Sequence, residues 1–233
     1  VNPRLTCGEI IAEPLRNYGA AGGKALTARL NDLIERVGLR SDHLQRYPHE
    51  LSGGQRQRVN IARALALEPE VLILDEAVSA LDKSVEAQVL NLLADLKSEF
   101  DLTYVFISHD LNVVRYVSDR VLVMYLGKVV EIGDVEAIYE SPRHPYTRAL
   151  FSAMPSMDPD KRTAAPPLTG DPPNPINPPS GCRFRTRCPF AEAVCAEREP
   201  VLLDAASGRQ SVACHMAEPG SGHSQSSLEG LPA

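Results

Sequence analysis

The residues that could carry chemistry in this sequence stand at the ends of two aliphatic runs. Asp75 and Glu76 follow one run, and His109 follows the next. In an open α/β sheet, ligands bind at the carboxyl ends of the strands. An aspartate there can hold Mg²⁺, an adjacent glutamate can orient or deprotonate an attacking water, and a histidine can hydrogen-bond a terminal phosphate. Taken singly, the acidic pair is only moderately specific, because it could also cap a loop, and a lone histidine at a strand end is more often structural than catalytic.

A second group, Leu51-Ser52-Gly53-Gly54-Gln55, precedes a segment of good helix formers. Two glycines ahead of a helix let the backbone approach a phosphate, and the helix N-terminus offers free N–H groups at the positive end of its dipole. Ser52 adds a hydroxyl donor. An isolated Ser-Gly-Gly is more often a plain helix start, so the phosphate interpretation depends on Leu51, Gln55 and the residues downstream.

A third group, Ser79-Ala80-Leu81-Asp82, lies between the carboxylate pair and a helical pattern. Its simplest role is structural, because Asp82 is a favourable N-cap for that helix. The apolar face predicted for the helix consists of Val85, Val89, Leu92, Leu96 and Phe100.

The elements that must position these residues alternate between strand and helix. The runs Val71–Leu74 and Tyr104–Ile107 predict strands buried on both faces. Since a helix separates them, we expect a right-handed crossover and a parallel pair. Residues 120–125 and 128–132, joined through Leu126 and Gly127, predict a hairpin, and upstream a helix over about 26–37 should end at Gly38.

Composition limits the classes of function. The chain has 233 residues and a net charge of −6, which does not indicate a nucleic-acid binder. Its longest apolar runs are far shorter than the roughly 20 residues of a membrane span. No secretory signal is visible at the start, which begins without Met and looks like the inside of a longer protein. We therefore expect any membrane association to come through a partner.

The ordered set of motifs resembles the ATP-binding subunits of ABC transporters over roughly residues 1–154. In that family Leu51–Gln55 corresponds to the signature motif, Leu72–Glu76 to the Walker B strand, Ser79–Asp82 to the D-loop and His109 to the switch histidine. The resemblance implies an α/β, P-loop NTPase-like ABC ATPase domain. A helical signature subdomain would occupy about 5–67, and the core from Walker B to the switch histidine about 68–154.

The resemblance also implies a role for each residue. Two such domains pair head to tail and hold ATP between them. Glu76 would polarise the hydrolytic water, His109 would contact the γ-phosphate and Asp75 would support Mg²⁺. Ser52, Gly53, Gly54 and Gln55 would serve the nucleotide of the partner, and Ser79 and Asp82 would form the D-loop.

One departure from the family is serious. The phosphate loop Gly-x-x-x-x-Gly-Lys-Ser/Thr does not occur among the 233 residues. Gly22-Gly23-Lys24-Ala25 is rejected, because it lacks the leading glycine, ends in alanine and has no strand before it. Residues 2–6 resemble the segment immediately after the Q-loop in peptide importers. We expect an incomplete ATPase domain that binds ATP poorly by itself.

Further segments resemble the dipeptide and oligopeptide importer branch. These are Tyr47–Glu50, Arg56–Arg58 and His144–Leu150. Importers of nickel and other small solutes share this architecture and remain an alternative. The branch implies a second ATPase subunit, transmembrane permease subunits and, indirectly, an extracytoplasmic solute-binding protein. It also implies a peripheral position at the cytoplasmic face of the cell (inner) membrane, and no nucleic acid.

The end of the chain predicts a small cysteine-containing extension. A proline-rich linker over 155–181 leads to the extension at 182–217, and residues 218–233 are predicted to be a disordered tail. The extension holds Cys182, Cys188, Cys195 and Cys214. Four thiolates suit a [4Fe–4S] cluster or Zn²⁺, and the absence of Cys-x₂₋₄-Cys spacing favours iron–sulfur. Similar cysteines in the branch support this.

Smaller expectations accompany the cysteine segment. Arg183, Arg185 and Arg187 could offset the charge of a cluster, and His215 is a weaker candidate ligand. Free thiols or disulfides remain alternatives to a metal. Cys7, in the first helical segment, is expected to be a small buried residue.

Two other functions compete with an importer subunit. A soluble ABC ATPase acting on DNA or ribosomes usually carries a coiled coil, a zinc insertion or a second cassette in this region, and none is seen. A metal or redox module with a degenerate ATPase front is disfavoured by the intact Asp75, Glu76 and His109.

Overall fold

The computed structural model describes residues 2–154, 170–171, 173–205 and 208–226. The chain divides into two compact units, Val1–Val113 and Val114–Ala233. Most of the predicted proline-rich linker, 155–181, lies outside the described residues.

Helices dominate the first unit. They are α1 (Cys7–Asn17), α2 (Gly23–Arg36), α3 (Gly53–Leu65), α4 (Lys83–Phe100) and α5 (Leu111–Val117, which runs past the unit boundary), with 3₁₀ turns at Ser41–Gln45 and Pro48–Glu50. As predicted, Gly38 follows α2 with a left-handed φ of 71°, and its N–H donates to the carbonyl of Glu35.

The helix α4 begins where the sequence predicts. Asp82 caps it, with Oδ1 accepting from the N–H of Val85 at 3.0 Å. Of the predicted apolar face, Val89 and Leu96 are buried, while the other three members are half-buried. The buried face is completed by Leu90 and Leu93, so it is rotated from the prediction.

Two strands, β1 (Val71–Asp75) and β2 (Thr103–Ile107), form the parallel pair that the sequence predicts. The prediction that both faces are buried was wrong for the described residues. Leu72 and Leu74 are buried, but Ile73 is 68% exposed and its cross-strand partner Val105 is 47% exposed. Successive side chains of a strand point to opposite faces of the sheet, and the described helices cover only one of these faces.

The second unit is built on an antiparallel sheet of order β3-β4-β6-β5. Its strands are β3 (Arg120–Tyr125), β4 (Lys128–Asp134), β5 (Leu202–Asp204) and β6 (Gln210–Ala213), and its helices are α6 (Val135–Glu140), α7 (Pro145–Ser152) and α8 (Ala193–Glu197). The predicted hairpin is confirmed. Leu126 and Gly127 both have positive φ, as a tight turn between β3 and β4 requires.

The cysteine-bearing segment folds together with this sheet. The strand β6 pairs with β4, aligning Val212 with Glu131. Phe184, two residues after Cys182, is 1% exposed and packs against Val121, Val123, Tyr125, Val130 and Ile138. One apolar core therefore joins the hairpin to residues far along the chain.

Residues 218–226 differ from the expected disordered tail. His223 is buried, and its Nε2 lies 2.8 Å from the carbonyl oxygen of Phe190. The N–H of Ser224 donates to Glu192 at 2.9 Å. These hydrogen bonds attach the segment to the region around α8, whereas residues 227–233 of the predicted tail lie outside the described residues.

In the part of the chain that the structure describes, no helix combines the length and the apolarity needed to cross a membrane.

Candidate nucleotide site

The end of β1 brings the two carboxylates to the sheet edge. Asp75 is the last residue of the strand, and its side chain is exposed. Glu76 then adopts a left-handed φ of 49°, which is uncommon for a residue with a side chain. The N–H of Glu76 donates to the carbonyl of Ile107 at the end of β2, at 3.0 Å. This bond fixes Glu76 beside the loop that carries His109.

Glu76 and His109 are in direct contact. His109 Nδ1 lies 2.9 Å from Glu76 Oε1, and the side chains are 77% and 42% exposed for the histidine and the glutamate respectively. The hydrogen bond raises the pKa of His109 and lowers the pKa of Glu76. The arrangement therefore favours an ionised carboxylate held by a ring N–H, at an edge open to a ligand.

The D-loop residues are tied to this pair and to α4. Ser79 Oγ donates to the backbone carbonyl of Glu76 at 3.0 Å. Asp82 accepts from the N–H of Val85 and from Ser84 Oγ, and the hydrogen bond from the Val85 backbone is the main cause of its lowered pKa. Ser79 thus contacts the backbone of Glu76, while the Asp82 side chain caps α4.

The signature residues form the start of α3. Ser52 Oγ accepts from the N–H of Gln55, and Gln55 Oε1 accepts from the N–H of Ser52, which together make a capping box. We expected the glycines to allow approach to a phosphate, but Gly54 also has a packing reason. A Cβ added there would lie 2.3 Å from Val85 Cγ1 of α4, whereas at Gly53 the nearest atom, Leu81 Cδ2, is at 3.4 Å.

Two residues at the site were missed in the sequence. Lys83 Nζ lies 2.8 Å from Asp110 Oδ2. Each follows directly after a predicted site residue, Asp82 or His109, and that adjacency is the signal that could have found them. The structure thus brings Glu76, His109 and Ser79 together, and it packs the signature glycines against the D-loop and α4.

Comparison with known proteins decides the family. Residues 1–79 match the model of the ABC transporter family. Residues 130–195 match the model of the oligopeptide/dipeptide transporter C-terminal region. The chain belongs to the ABC transporter ATP-binding proteins. Its first unit is accordingly part of a mixed α/β ABC ATPase domain, consistent with the P-loop NTPase fold.

Curated relatives agree with this ABC family assignment. The chain is 54% identical over 222 residues to the oligopeptide transport ATP-binding protein OppF of Escherichia coli K12, covering 94% of this chain and 66% of that protein. It is 53% identical to OppF of Salmonella typhimurium, with the same coverage, and 53% identical over 208 residues to a putative peptide import ATP-binding protein of Brucella ovis, covering 89% of this chain and 66% of that protein. The chain spans just under two thirds of the length of these relatives.

In this ABC chain the start of the segment His144–Leu150 is bound by the buried carboxylate of Glu131. Glu131 is fully buried and accepts from the N–H groups of Arg143 and His144, at 2.7 and 3.0 Å, and from Gln210 Nε2. His144 Nδ1 accepts from the N–H of Tyr146 and caps α7. Burial lowers the pKa of His144 to about 3. These residues therefore anchor the fold of the second unit.

The cysteines of the ABC chain do not form a metal site as placed. Cys182, Cys188, Cys195 and Cys214 all carry free thiols, and burial, with a contribution from the other three thiols, raises the pKa of Cys214 to about 12. Among the described residues, no group of three or more potential ligands could hold a metal ion. The expected iron–sulfur or zinc site therefore has no support from the described geometry.

The neighbours proposed for a cluster have other partners. Arg183 donates to the carbonyl of Leu126, and Arg185 to the carbonyl of Ser180. His215 lies against the carbonyl of Arg198 and the carboxylate of Glu218. Cys7, expected to be a small core residue, is fully buried in α1.

Proposed function

We propose that this chain is part of the energy-coupling ATP-binding subunit of an ABC importer for oligopeptides. The observation that carries the proposal is the contact between Glu76 and His109 at the end of a parallel strand pair. The ABC family assignment and the peptide-import names of the relatives support the transport role.

Glu76 is suited to orient the water that attacks ATP. Its lowered pKa keeps the carboxylate ionised at neutral pH, so its oxygens are available as hydrogen-bond acceptors. The ring N–H of His109 fixes one of its oxygens, which leaves the second to face a water. His109 is exposed enough for its other nitrogen to reach a γ-phosphate.

The exposed Asp75 carboxylate fits a role beside Mg²⁺, because hard cations prefer oxygen ligands. When bound, the ion would neutralise charge that develops on the phosphates. In the proposed arrangement Ser52, Gly53, Gly54 and Gln55 serve a nucleotide held by a second ATPase subunit, and Ser79 and Asp82 lie at the contact between the two subunits.

A phosphate loop has to complete the site. The pattern Gly-x-x-x-x-Gly-Lys-Ser/Thr is not among the 233 residues, so we infer that the main grip on ATP comes from polypeptide outside them. In this proposal residues 1–154 supply the ATPase part, with the helical subdomain at about 5–67, and 182–217 form the cysteine extension.

The proposed assembly follows from the transport role. This subunit and a second ATPase subunit would dock on transmembrane permease subunits at the cytoplasmic face of the cell membrane. Peptides would reach the permease from an extracytoplasmic binding protein, and no nucleic acid would take part.

Peptide uptake tests the proposal. A chimaera joins this chain to the part of E. coli OppF that the alignment leaves uncovered, and it replaces OppF in an E. coli strain that lacks it. We expect uptake of a labelled tripeptide to return with the chimaera and to be lost with Glu76→Gln. A well-expressed chimaera that gives no uptake, or uptake that Glu76→Gln leaves unchanged, would contradict the proposal.

We further propose that Cys182, Cys188, Cys195 and Cys214 bind a [4Fe–4S] cluster. Four thiolates match its usual ligands, and the thiols are near enough to affect one another's pKa. Because the described side chains form no ligand group as placed, the thiols must draw together on binding.

Metal analysis after anaerobic purification tests this second proposal. We expect about four iron atoms per chain and a broad visible absorbance. Both should be lost in Cys188→Ser and kept in Cys7→Ala. A colourless protein that contains zinc without iron, or neither metal, would contradict the cluster.

A further inference from the structure

The first residue of α4 is a lysine, which runs against the usual preference at that position. Helix N-termini favour acidic side chains, because the helix dipole is positive there. Lys83 directly follows the cap Asp82. A cation in this place needs compensating anions, and the structure supplies two.

One of the two anions lies on the same helix as Lys83, and the other lies on a different element. Glu86 lies one turn along α4, and its Oε1 is 2.9 Å from Lys83 Nζ. Asp110 lies beyond β2, directly after His109, and its Oδ2 is 2.8 Å from the same nitrogen. The hydrogen bond to Asp110 is the largest cause of the raised pKa of Lys83.

The two carboxylate oxygens of Asp110 accept hydrogen bonds from two different elements. While Oδ2 accepts from Lys83, Oδ1 accepts from the N–H groups of Asn112 and Val113, at 3.0 and 3.3 Å, and so caps α5. Its own N–H donates to Ser108 Oγ. Asp110 therefore contacts the side chain of Ser108, just before His109, and the backbone at the start of α5, just after it.

We propose that Lys83 is a positioning residue that ties the D-loop and α4 to the loop of His109. By holding Asp110, it keeps the imidazole of His109 against Glu76. Its consequence for ATP hydrolysis rests on the function proposed above, but the link itself does not. The ion pair links the two loops because Lys83 directly follows the D-loop residue Asp82, and Asp110 directly follows the switch histidine.

The effect should be modest. Lys83 is 76% exposed and the Asp110 side chain 27% exposed, and exposed ion pairs contribute little individually. When Lys83 is replaced, a positioning role and a simple charge effect predict opposite changes in the pKa of His109. Removing a nearby cation would by itself raise the pKa of His109. Releasing the loop would loosen the bond to Glu76 and lower it.

NMR titration of His109 in the 233-residue chain tests the link without any ATPase assay. For Lys83→Met we expect the pKa of His109 to fall by about 0.2 to 0.7. Lys83→Arg should restore it, because a guanidinium still reaches Asp110. Glu86→Gln is the matched control, since it removes only the local partner, and it should leave the pKa of His109 unchanged.

Outcomes that overturn the inference are equally definite. An unchanged or raised pKa of His109 in Lys83→Met would show that the lysine does not position the loop. An equal fall in Glu86→Gln would assign the effect to the start of α4. In the chimaera, Lys83→Met should lower kcat for ATP about two- to fivefold with KM unchanged. A wild-type chimaera without turnover would count against the proposed function, and the titration would still decide the link.

Discussion

At the residue scale, the central feature is a carboxylate and an imidazole that the sequence places far apart. The position of Glu76 and His109 at strand ends could be predicted from two aliphatic runs. Their contact could not, because it depends on the left-handed φ of Glu76 and on its N–H bond to Ile107. Backbone turns of this kind leave no periodic pattern in a sequence.

The pair predicts a specific pH dependence. The pKa of Glu76 is lowered, so the stability that its carboxylate contributes to the contact is lost as pH falls through that lowered value. The pKa of His109 is raised, so its contribution is lost as pH rises through the raised value. The contact is therefore fully formed between the ordinary pKa values of the two groups, at about pH 4.3 to 6.5.

NMR titration of Glu76→Gln checks this assignment. Because the neutral amide stabilises an imidazolium less than a carboxylate does, the pKa of His109 should fall towards about 6.5. Glu70→Gln, the same change just before β1, is the control and should leave it in place. If His109 titrates identically in the wild type and in Glu76→Gln, the contact does not exist in solution.

At the element scale, the signature segment is defined by its packing as well as its caps. The start of α3 lies so close to α4 that Gly54 has no room for a side chain, while Gly53 does. The sequence shows two equivalent glycines, because the difference arises only from how α3 and α4 meet. Strand pairing, the hairpin and the Asp82 cap were predicted, since each depends on local pattern.

The two glycines make a matched pair of substitutions. Gly54→Ala should destabilise the chain by about 1–3 kcal/mol, because the new methyl group overlaps the stiff side chain of Val85. Gly53→Ala should change the free energy of unfolding by no more than about 0.5 kcal/mol. Urea unfolding of both variants measures the difference. Equal effects would show that α3 does not pack on Val85 as described.

The second unit depends on a buried acceptor. Glu131→Ala should cost about 2–5 kcal/mol, because it leaves the N–H groups of Arg143 and His144 without an acceptor. Glu131→Gln keeps one acceptor oxygen, but its amide NH₂ must face the second N–H group, so it should cost less than Ala and still destabilise the chain. Burial raises the pKa of Glu131, so its ionisation opposes folding as pH rises, and the Gln variant should lose that dependence. Urea titrations at pH 4.5 and 7.5 provide the comparison, and a Glu131→Ala variant as stable as the wild type would exclude the acceptor role.

At the scale of the whole molecule, sequence patterns indicated the family of the chain but not how its end folds. The segment around the cysteines was predicted as a small extension after a linker, and in the structure it adds β5 and β6 to the sheet of the hairpin. Strands of three and four residues carry too little alternation to be recognised. The exposed faces of Ile73 and Val105 were also missed, because an aliphatic run does not show which face is covered.

The proposed function depends above all on Glu76 acting as the water-orienting carboxylate of an ABC ATPase. Steady-state ATP turnover of the purified chimaera with E. coli OppF tests this role, with Glu76→Gln compared against Glu70→Gln. We predict that Glu76→Gln lowers kcat at least about 100-fold while ATP binding is retained, and that Glu70→Gln leaves turnover unchanged. Normal hydrolysis by the Glu76→Gln chimaera would contradict the role of Glu76.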